Sequence, residues 1–253
     1  MRAQQHNLPD IAADTLERLR ERRPRIHCIT NAVAQNFTAN VLLAAGATPS
    51  MTISPDEVAA FAAMADAVLV NLGTFDAERR AASGGAIAQA HSLNRPWVLD
   101  PVLIDRSPPR ADYARKLVAQ APAAIRLNGA EFKALATPFG PEQYAASHRT
   151  IVALTGEIDL VTDGEHTVRI ANGHPLMARV TVMGCAETAL VAAALTVEPD
   201  PLHAVASAIL WFGIAGEIAG EIANGPGTFA VHILDALFNL DRATIHTRAK
   251  VSS

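Results

Sequence analysis

Short apolar runs alternate with helical patterns along most of this chain, and this alternation restricts the possible fold more than any other feature. Strands that alternate with helices favour a mostly parallel sheet whose two faces are both covered by helices. Because no domain linker divides the chain, we expect a single α/β domain over residues 1–253. The runs that we interpret as strands are residues 25–29, 48–53, 67–70, 97–99, 124–127 and 151–154.

The region from residue 160 to residue 182 is predicted to add further strands. The first is followed by a turn at Asp163-Gly164, and alternating apolar residues continue to residue 170. A second turn at Asn172-Gly173 has the composition of a tight hairpin, because asparagine and glycine accept positive φ at little cost. Residues 179–182 are then expected to form the next strand.

A helix of small apolar residues follows, beginning at Gly184-Cys185 and continuing to residue 195. It has almost no polar face, so we expect it to be buried. The start of such a helix presents free backbone N–H groups and the positive end of the helix dipole, which can hold a phosphate or a developing oxyanion. The dipole would also lower the pKa of the Cys185 thiol. The same residue pair fits an alternative in which a small cysteine only fills the core.

The remaining segments are predicted from periodicity and from helix-breaking residues. Helices are expected over residues 10–23, 76–93, 201–224 and 227–240. Residues 136–150 contain proline and glycine and are predicted to form a linker. The polar tail from residue 243 onward is expected to be loosely ordered.

Composition argues against several classes of function. The 253 residues are 50% hydrophobic and carry a formal net charge of −4, whereas a nucleic-acid-binding surface would need a basic face. Aromatic residues make up only 5%, which disfavours stacking platforms for single strands. Two cysteines, Cys28 and Cys185, make no disulfide framework and are typical of a reducing cytosol. The polar N-terminal segment lacks the apolar core of a signal peptide. We therefore expect a soluble, cytoplasmic protein that binds neither nucleic acid nor membrane.

Polar residues at the predicted strand ends indicate a site, because ligands of an open α/β sheet bind beyond the carboxyl ends of its strands. Arg126 lies in an apolar run, and a buried guanidinium needs an acceptor such as a phosphate or a carboxylate. Asp100 and Glu131 could hold a magnesium ion through water, since Mg²⁺ usually takes only one or two carboxylates. Together these residues favour a phosphoryl-transfer site. The full set is Thr30, Asn31, Asn71, Asp100, Arg126, Asn128, Glu131, Thr155, Glu157 and Asp163.

Single members of this set also have ordinary structural interpretations. Asn31, Asn128 and Asp163 could be helix caps or turn formers, and Asp100 could simply end its strand before Pro101. Two common nucleotide-binding signatures are missing from the sequence, GxxxxGK[ST] and GxGxxG. Their absence weighs against a P-loop NTPase and against a Rossmann dehydrogenase.

Six segments spread over nearly the whole chain are informative together: HCITNAVAQNFTANVLLAAGATPSM, WVLDPV, AAIRLNGAEFKALA, TGEIDLVTDG, NGHPLMARVTVMGC and GPGTFAVHILDALFNL. In sequence and in order they resemble the hydroxyethylthiazole kinase family of the ribokinase-like superfamily. The resemblance implies a ribokinase-like three-layer α/β/α fold with a mostly parallel central sheet. It implies ATP- and Mg²⁺-dependent phosphorylation of the hydroxyl of 4-methyl-5-(2-hydroxyethyl)thiazole in thiamine salvage. It also implies a homotrimer with active sites between subunits.

The same resemblance implies roles for individual residues. Cys185 occupies the position where ribokinase relatives carry an aspartate base, and it is the implied catalytic residue. Other implied contacts are those to the substrate by Asn31, Met51, Val182 and Gly184, to ATP by Arg126 and Thr155, and to the metal by Asp100 and Glu131.

The sequence departs from the family's pattern at three places. The family's Gly-Thr-Gly-Cys anion hole is Val182-Met183-Gly184-Cys185 here, and β-carbons obstruct the approach of phosphate oxygens to backbone N–H groups. Residues 103–106 replace a glycine-bearing turn. The connection between residues 135 and 151 is short, which predicts that a helix beside the nucleotide site is missing.

These departures predict a kinase of reduced activity and leave two alternatives open. One is a non-catalytic relative that keeps a ligand pocket. The other is a kinase of another small alcohol, such as a hydroxymethylpyrimidine.

Overall fold

One sheet runs through the part of the chain that this computed structural model describes, residues 8–252. Its nine strands lie in the order β2-β1-β3-β4-β5-β6-β7-β8-β9. Pairing is parallel from β2 to β6 and antiparallel from β6 to β9. The strands are β1 (Arg25–Ile29), β2 (Thr48–Ser50), β3 (Ala67–Asn71), β4 (Trp97–Asp100), β5 (Ala124–Asn128), β6 (Ile151–Thr155), β7 (Asp159–Thr162), β8 (Thr167–Ile170) and β9 (Val251–Ser252).

Helices cover both faces of this sheet. They are α1 (Leu8–Arg22), α2 (Gln35–Ala45), α3 (Val58–Met64), α4 (Ala77–Ser92), α5 (Pro108–Val118), α6 (Gly129–Ala136), α7 (Pro141–His148), α8 (Met183–Ala194), α9 (Pro201–Ile222), α10 (Pro226–Asn239) and α11 (Arg242–Arg248). Two short 3-10 helices, Ile104–Arg106 and Pro175–Arg179, lie in connections.

Alternation along the central strands explains the three layers. In β3, Leu69 packs into the core under α1, α2, α8, α9 and α10, whereas Val68 and Val70 pack into the core under α3 to α7. Successive side chains of a strand point to opposite faces, so a strand with apolar residues throughout must be covered on both. The prediction of a three-layer α/β/α fold with a mostly parallel sheet is therefore confirmed.

Helix α9 is the centre of one of the two helical layers. Among residues 8–252 it is the helix long and apolar enough to cross a membrane, but 89% of its apolar window is buried inside the fold. It packs against α1, α8 and α10. Its apolar composition is thus that of a core helix surrounded by other helices.

The predicted hairpin at Asn172-Gly173 and the predicted strand at residues 179–182 are wrong. The segment after β8 instead lies directly on α9, where glycines permit close approach. An added β-carbon at Gly213 would lie 2.8 Å from the carbonyl oxygen of Asn172, and one at Gly216 would lie 2.6 Å from Sδ of Met177. Because the chain turns onto α9 rather than back along the sheet, the strand beside β8 comes from the C-terminal region.

That C-terminal region corrects a second prediction, since it is ordered as α11 and β9. Ile245 is fully buried in the core, and the Asp241 side chain caps α11 by accepting from the N–H of Thr244. Asn172 then fixes the start of β9: its Oδ1 accepts from the N–H of Lys250 at 2.8 Å. The tail is therefore held by one core residue, by the helix cap that directly precedes it and by the pairing of β9 with β8.

The linker predicted at residues 136–150 contains α7 and is also a correction. Pro141 occupies the first turn of α7, where its missing N–H costs nothing. Tyr144 and Ala145 are buried on this helix and join the core under α3 to α7. Proline here starts a helix instead of marking a loop.

Candidate active site

The polar side chains at the carboxyl ends of β1, β3 and β4 form one hydrogen-bonded chain. Asn31 Nδ2 donates to Asn71 Oδ1 at 3.1 Å, and Asn71 Nδ2 donates to Asp100 Oδ2 at 2.6 Å. Thr188, on α8, donates to the same Asp100 oxygen at 3.1 Å. All four residues are buried. Parallel strands bring their carboxyl ends to one edge, so residues up to 69 positions apart meet as predicted.

Asp100 is a fully buried carboxylate with one oxygen left over. Its Oδ2 accepts the two bonds just described, while its Oδ1 has no hydrogen-bond partner among the described residues. Burial raises the pKa of Asp100 to about 7; Arg126 opposes the shift and Glu131 adds to it. A desolvated carboxylate oxygen without a partner is a suitable acceptor for a cation or for a bound water.

Arg126 meets the anionic partner that its burial requires, and that partner is Glu187 on α8. Its Nε donates to Glu187 Oε2 at 3.1 Å. Burial alone would lower the pKa of Arg126, but Glu187, Asp100 and Glu131 together raise it, so the guanidinium stays cationic. Burial raises the pKa of Glu187, and Arg126 opposes that shift.

Glu187 is a site residue that the sequence analysis missed. A signal was present, since one acidic residue interrupts the otherwise apolar helix that begins at Gly184. Glu187 follows Gly184 by three positions, which places both on one face of α8. A lone acid in a buried helix needs a cationic partner, and Arg126 was the available buried cation.

Gly184 provides the space that the guanidinium of Arg126 occupies. An added β-carbon at Gly184 would lie 2.6 Å from Cζ and 2.7 Å from Nη2 of Arg126, and closer still to Nη1. The two terminal NH₂ groups of Arg126, which we call its fork, therefore lie against the first turn of α8. No side-chain oxygen caps this helix, and the backbone hydrogen bond of its first turn runs from the N–H of Ala186 to the carbonyl of Val182. The preceding N–H groups and the arginine fork can thus face the same anion.

Glu131 closes a capping box at the start of α6. Its Oε2 accepts from the N–H of Asn128 at 2.9 Å, and Asn128 Oδ1 accepts from the N–H of Glu131 at 3.0 Å. The interpretation of Asn128 as a helix cap is therefore confirmed. Glu131 Oε1 accepts from the N–H of Leu103 at 2.8 Å. This bond ties α6 to residues 103–106, the segment that departs from the family's pattern.

Thr155 and Met51 lie on either side of this cluster in the sheet order. Thr155 is paired with Asn128 in the β5–β6 register, and its Oγ1 donates to the carbonyl of Leu127 at 3.4 Å. Met51 follows β2, is half-buried and packs against the core that contains α8. Neither residue forms a hydrogen bond to Asp100 or Arg126, so their implied contacts remain expectations.

Cys185 is buried at the start of α8, and its expected low pKa is wrong. Burial, reinforced by Asp100, raises the pKa of this thiol to about 12, although Arg126 and hydrogen bonds from Asn71 and Asn31 oppose the shift. Asn31 Nδ2 lies 3.4 Å from Cys185 Sγ. Desolvation next to a carboxylate outweighs the helix dipole that the prediction considered alone.

Val182 precedes α8 in a backbone conformation that β-branched residues rarely adopt. Its φ is 71° and its ψ is 5°, the left-handed region. This conformation is strained for a residue with two heavy atoms on Cβ. Met183 is the other residue that was predicted to obstruct this site; its side chain is buried in the core, and the obstruction by its β-carbon stays a prediction.

Comparison with known proteins adds a consistent set of relatives. The model of the Hydroxyethylthiazole kinase family matches residues 16–139 and 139–243. A hydroxyethylthiazole kinase of Granulibacter bethesdensis is 45% identical over 249 residues, covering 92% of this chain and 91% of that protein. The structure of a hydroxyethylthiazole kinase protein from Pyrococcus horikoshii superposes with a TM-score of 0.93 at 38% identity, covering 96% of this chain and 98% of that one.

A more distant structure shows the fold alone. A ribokinase-like superfamily protein from Enterococcus faecalis superposes with a TM-score of 0.69 at 13% identity, covering 92% of this chain and 95% of that one. The fold is therefore ribokinase-like.

Proposed function

The chain belongs to the hydroxyethylthiazole kinase family, and from this premise we propose that it transfers the γ-phosphate of ATP to the hydroxyl of 4-methyl-5-(2-hydroxyethyl)thiazole. It is a phosphotransferase with an alcohol acceptor. The observation that carries the proposal is the meeting of three parts at one sheet edge: the uncapped start of α8, the fork of Arg126 and the buried carboxylate of Asp100. Phosphoryl transfer depends mainly on positioning and on stabilisation of charge, and these parts supply both.

The phosphate site is proposed at the first turn of α8. The N–H groups around Gly184 and the fork of Arg126 would donate to the oxygens of the transferred phosphoryl group. Thr155 would contact the nucleotide beside Arg126. Such donors are preorganised, so they require no rearrangement as charge develops.

A magnesium ion fits the same edge. The Oδ1 of Asp100 is a buried carboxylate oxygen without a hydrogen-bond partner in the described chain, and Glu131 contributes further negative charge. Among residues 8–252 no cluster of three or more His, Cys, Asp or Glu side chains could hold a metal ion. Mg²⁺ needs only one or two carboxylates, because phosphates and water complete its coordination. Bound there, Mg²⁺ would neutralise charge on the phosphate oxygens. Asp100 and Glu131 would hold it through water.

The acceptor alcohol is proposed to lie near Asn31, Met51 and Cys185. Cys185 has a pKa of about 12, so at neutral pH its thiol is protonated and acts as a polar neighbour of the hydroxyl. It forms no covalent intermediate in this scheme. Cytoplasmic location is proposed as well, because ATP is the co-substrate and Cys28 and Cys185 are both free.

The test of this function is an assay of ADP release with three conditions: the thiazole alcohol, a hydroxymethylpyrimidine and no acceptor. We expect release that depends on the thiazole alcohol. Release with the pyrimidine alone would assign the chain to another small alcohol. ATP binding without release in any condition would favour a non-catalytic relative.

Cys185→Ala is expected to lower kcat by about tenfold while leaving measurable turnover, because a protonated thiol contributes position and polarity rather than a base. The measurement is steady-state kinetics at saturating ATP. A trapped phosphocysteine, or a rate equal to that of the natural protein, would contradict the proposed role.

Val182→Gly is expected to stabilise the protein by about 1 kcal/mol, raising Tm by about 2–4 °C, because it relieves a left-handed valine. The variant should also raise kcat by about tenfold with little change in the KM for ATP, since the N–H groups of α8 become more accessible in the transition state. Val180→Gly is the matched control: φ there is −111°, so glycine should only destabilise. Ordinary kinase rates in the natural protein would refute the proposed obstruction by Val182.

The quaternary structure is proposed to be a homotrimer with active sites between subunits. Leu43 on α2 and Val231 and Phe238 on α10 are 56–66% exposed, and α2 and α10 pack against each other. Exposed large apolar side chains support a buried contact in an assembly. Sedimentation equilibrium should give three times the chain mass of 26.7 kDa. A monomer at micromolar concentration would reject the proposal.

A further inference from the structure

Glu187 forms a buried ion pair with Arg126, and no role has been given to it so far. The two side chains are 7% and 16% exposed, and Arg126 Nε lies 3.1 Å from Glu187 Oε2. Such a pair is weak evidence for stability, because desolvation of two charges offsets most of their attraction. A buried acid at this position in an apolar helix therefore calls for another explanation.

The hydrogen bond between Arg126 and Glu187 leaves the two terminal NH₂ groups of Arg126 free to bind a phosphate. Glu187 accepts the hydrogen bond from the Nε–H, while the two terminal NH₂ groups have no hydrogen-bond acceptor among the described residues. Those terminal groups lie against Gly184, at the uncapped first turn of α8. One acceptor on the side of the guanidinium thus sets the direction of its fork.

The positive charges at the start of α8 also require an anion close to Arg126. A cation at the positive end of a helix is unfavourable unless an anion lies close to it. Glu187, three residues after Gly184, supplies that anion from α8 itself. Asp100 and Glu131 also interact with Arg126, and Asp159 interacts with both members of the pair. Of these acids, Glu187 is the one that accepts a hydrogen bond from the guanidinium.

We propose that Glu187 is a positioning residue that fixes the Arg126 fork at the start of α8. There the fork and the N–H groups of the first helical turn hold the phosphates of ATP. The proposal deepens the kinase function and rests on it for the identity of the nucleotide. Glu187 itself does not touch the reacting atoms. Its effect should pass entirely through Arg126.

The test compares Glu187→Gln, Glu187→Leu, Arg126→Met and the double variant Arg126→Met/Glu187→Leu in the full chain. The first readout is the Kd of ATP with Mg²⁺ by titration calorimetry, which requires no turnover, and the second is kcat and KM. Glu187→Leu should weaken ATP binding and lower kcat by about tenfold each, because the fork is no longer held. Glu187→Gln keeps an oxygen acceptor for the Nε–H and should restore most of both losses.

The double variant separates positioning from a structural role. Arg126→Met and the double variant should have the same Kd and kcat within about twofold, since Glu187 has nothing left to position. The double variant removes both members of the ion pair, so neither Arg126 nor Glu187 is left in the core without its hydrogen-bonded partner. The control is the surface pair Arg248 and Glu221: Arg248→Met and Glu221→Leu should leave both readouts unchanged.

Two results would overturn the proposal. One is equal loss in the glutamine and leucine variants, and the other is an effect of Glu187→Leu that persists in the Arg126→Met background. A natural protein that binds ATP but transfers no phosphate to the thiazole alcohol would defeat the proposed function. The cycle measured on ATP binding would still decide the role of Glu187.

Discussion

Replacing Gly184 with alanine is expected to abolish measurable kinase activity and to weaken ATP binding by more than about a hundredfold, the loss typical of a misplaced phosphate clamp. The new β-carbon would occupy the position of the Arg126 guanidinium, 2.6 Å from its Cζ. Arginine must then leave the start of α8, and its bond to Glu187 breaks with it. Breaking a buried pair leaves uncompensated charge, so we also expect a loss of about 3 kcal/mol of stability.

Gly84→Ala is the matched control for this variant. Gly84 lies exposed on α4, and an added β-carbon there meets nothing within 4 Å. Alanine should therefore stabilise α4 by roughly 0.5–1 kcal/mol through helix propensity, without touching activity. Denaturant unfolding and ADP release on both variants make the comparison. If Gly184→Ala retained half of the natural activity, the guanidinium could not be held where the structure has it.

Asp100→Asn is expected to reduce kcat by more than about a hundredfold while making the folded protein more stable at pH 8. The activity loss follows from removing the charge proposed to face the metal and its phosphates. The gain in stability follows from burial: a carboxylate with no partner on Oδ1 is costly to ionise in this site. Activity and stability should thus move in opposite directions.

The pH dependence of that gain has a definite sign. Burial raises the pKa of Asp100 to about 7, so the folded state holds this proton more tightly than the unfolded state does. The contribution to stability is fully present below the ordinary pKa of about 4 and is lost as pH rises to 7. Asparagine removes this dependence.

Unfolding by urea at pH 5 and at pH 8 measures the effect. The advantage of Asp100→Asn over the natural protein should be about 2–3 kcal/mol larger at pH 8 than at pH 5. Asp112→Asn, at an exposed position on α5, should change stability by less than about 0.5 kcal/mol at either pH. An equal effect of Asp100→Asn at both pH values would mean that Asp100 does not retain its proton.

The parallel part of the fold could be predicted because burial on both faces leaves a direct trace in the sequence. Leu69 and Val70 are both apolar since each faces a different helical layer. In the antiparallel part, β7 and β8 were predicted on either side of the turn at Asp163-Gly164. The strand beside β8 could not be predicted, because its pairing depends on distant contacts. Asn172-Gly173 has hairpin composition, but this segment packs closely against glycines of α9 instead of turning back along the sheet. Turn composition is local information, and here a long-range contact outweighed it.

That polar residues meet at the strand ends could be predicted from the sequence, but the electrostatics of their side chains could not. Arg126 was expected to need an anionic partner, and Glu187 is that partner. The pKa of Cys185 was assigned the wrong direction, because a sequence indicates that a helix begins nearby but not that Asp100 and a dry core surround the thiol. Glu187 was missed because it was treated as part of an apolar helix.

The two edge strands of the sheet restrict how copies of this chain can associate. Within residues 8–252 the sheet ends in its two shortest strands, β2 with three residues and β9 with two. A long unpaired edge strand would offer a row of N–H and C=O groups to a strand of another molecule. Strands β2 and β9 are too short to act as such a template, so strand exchange and fibril growth are disfavoured at both edges. Contacts between copies would have to use helix and loop surfaces instead, as in the proposed homotrimer.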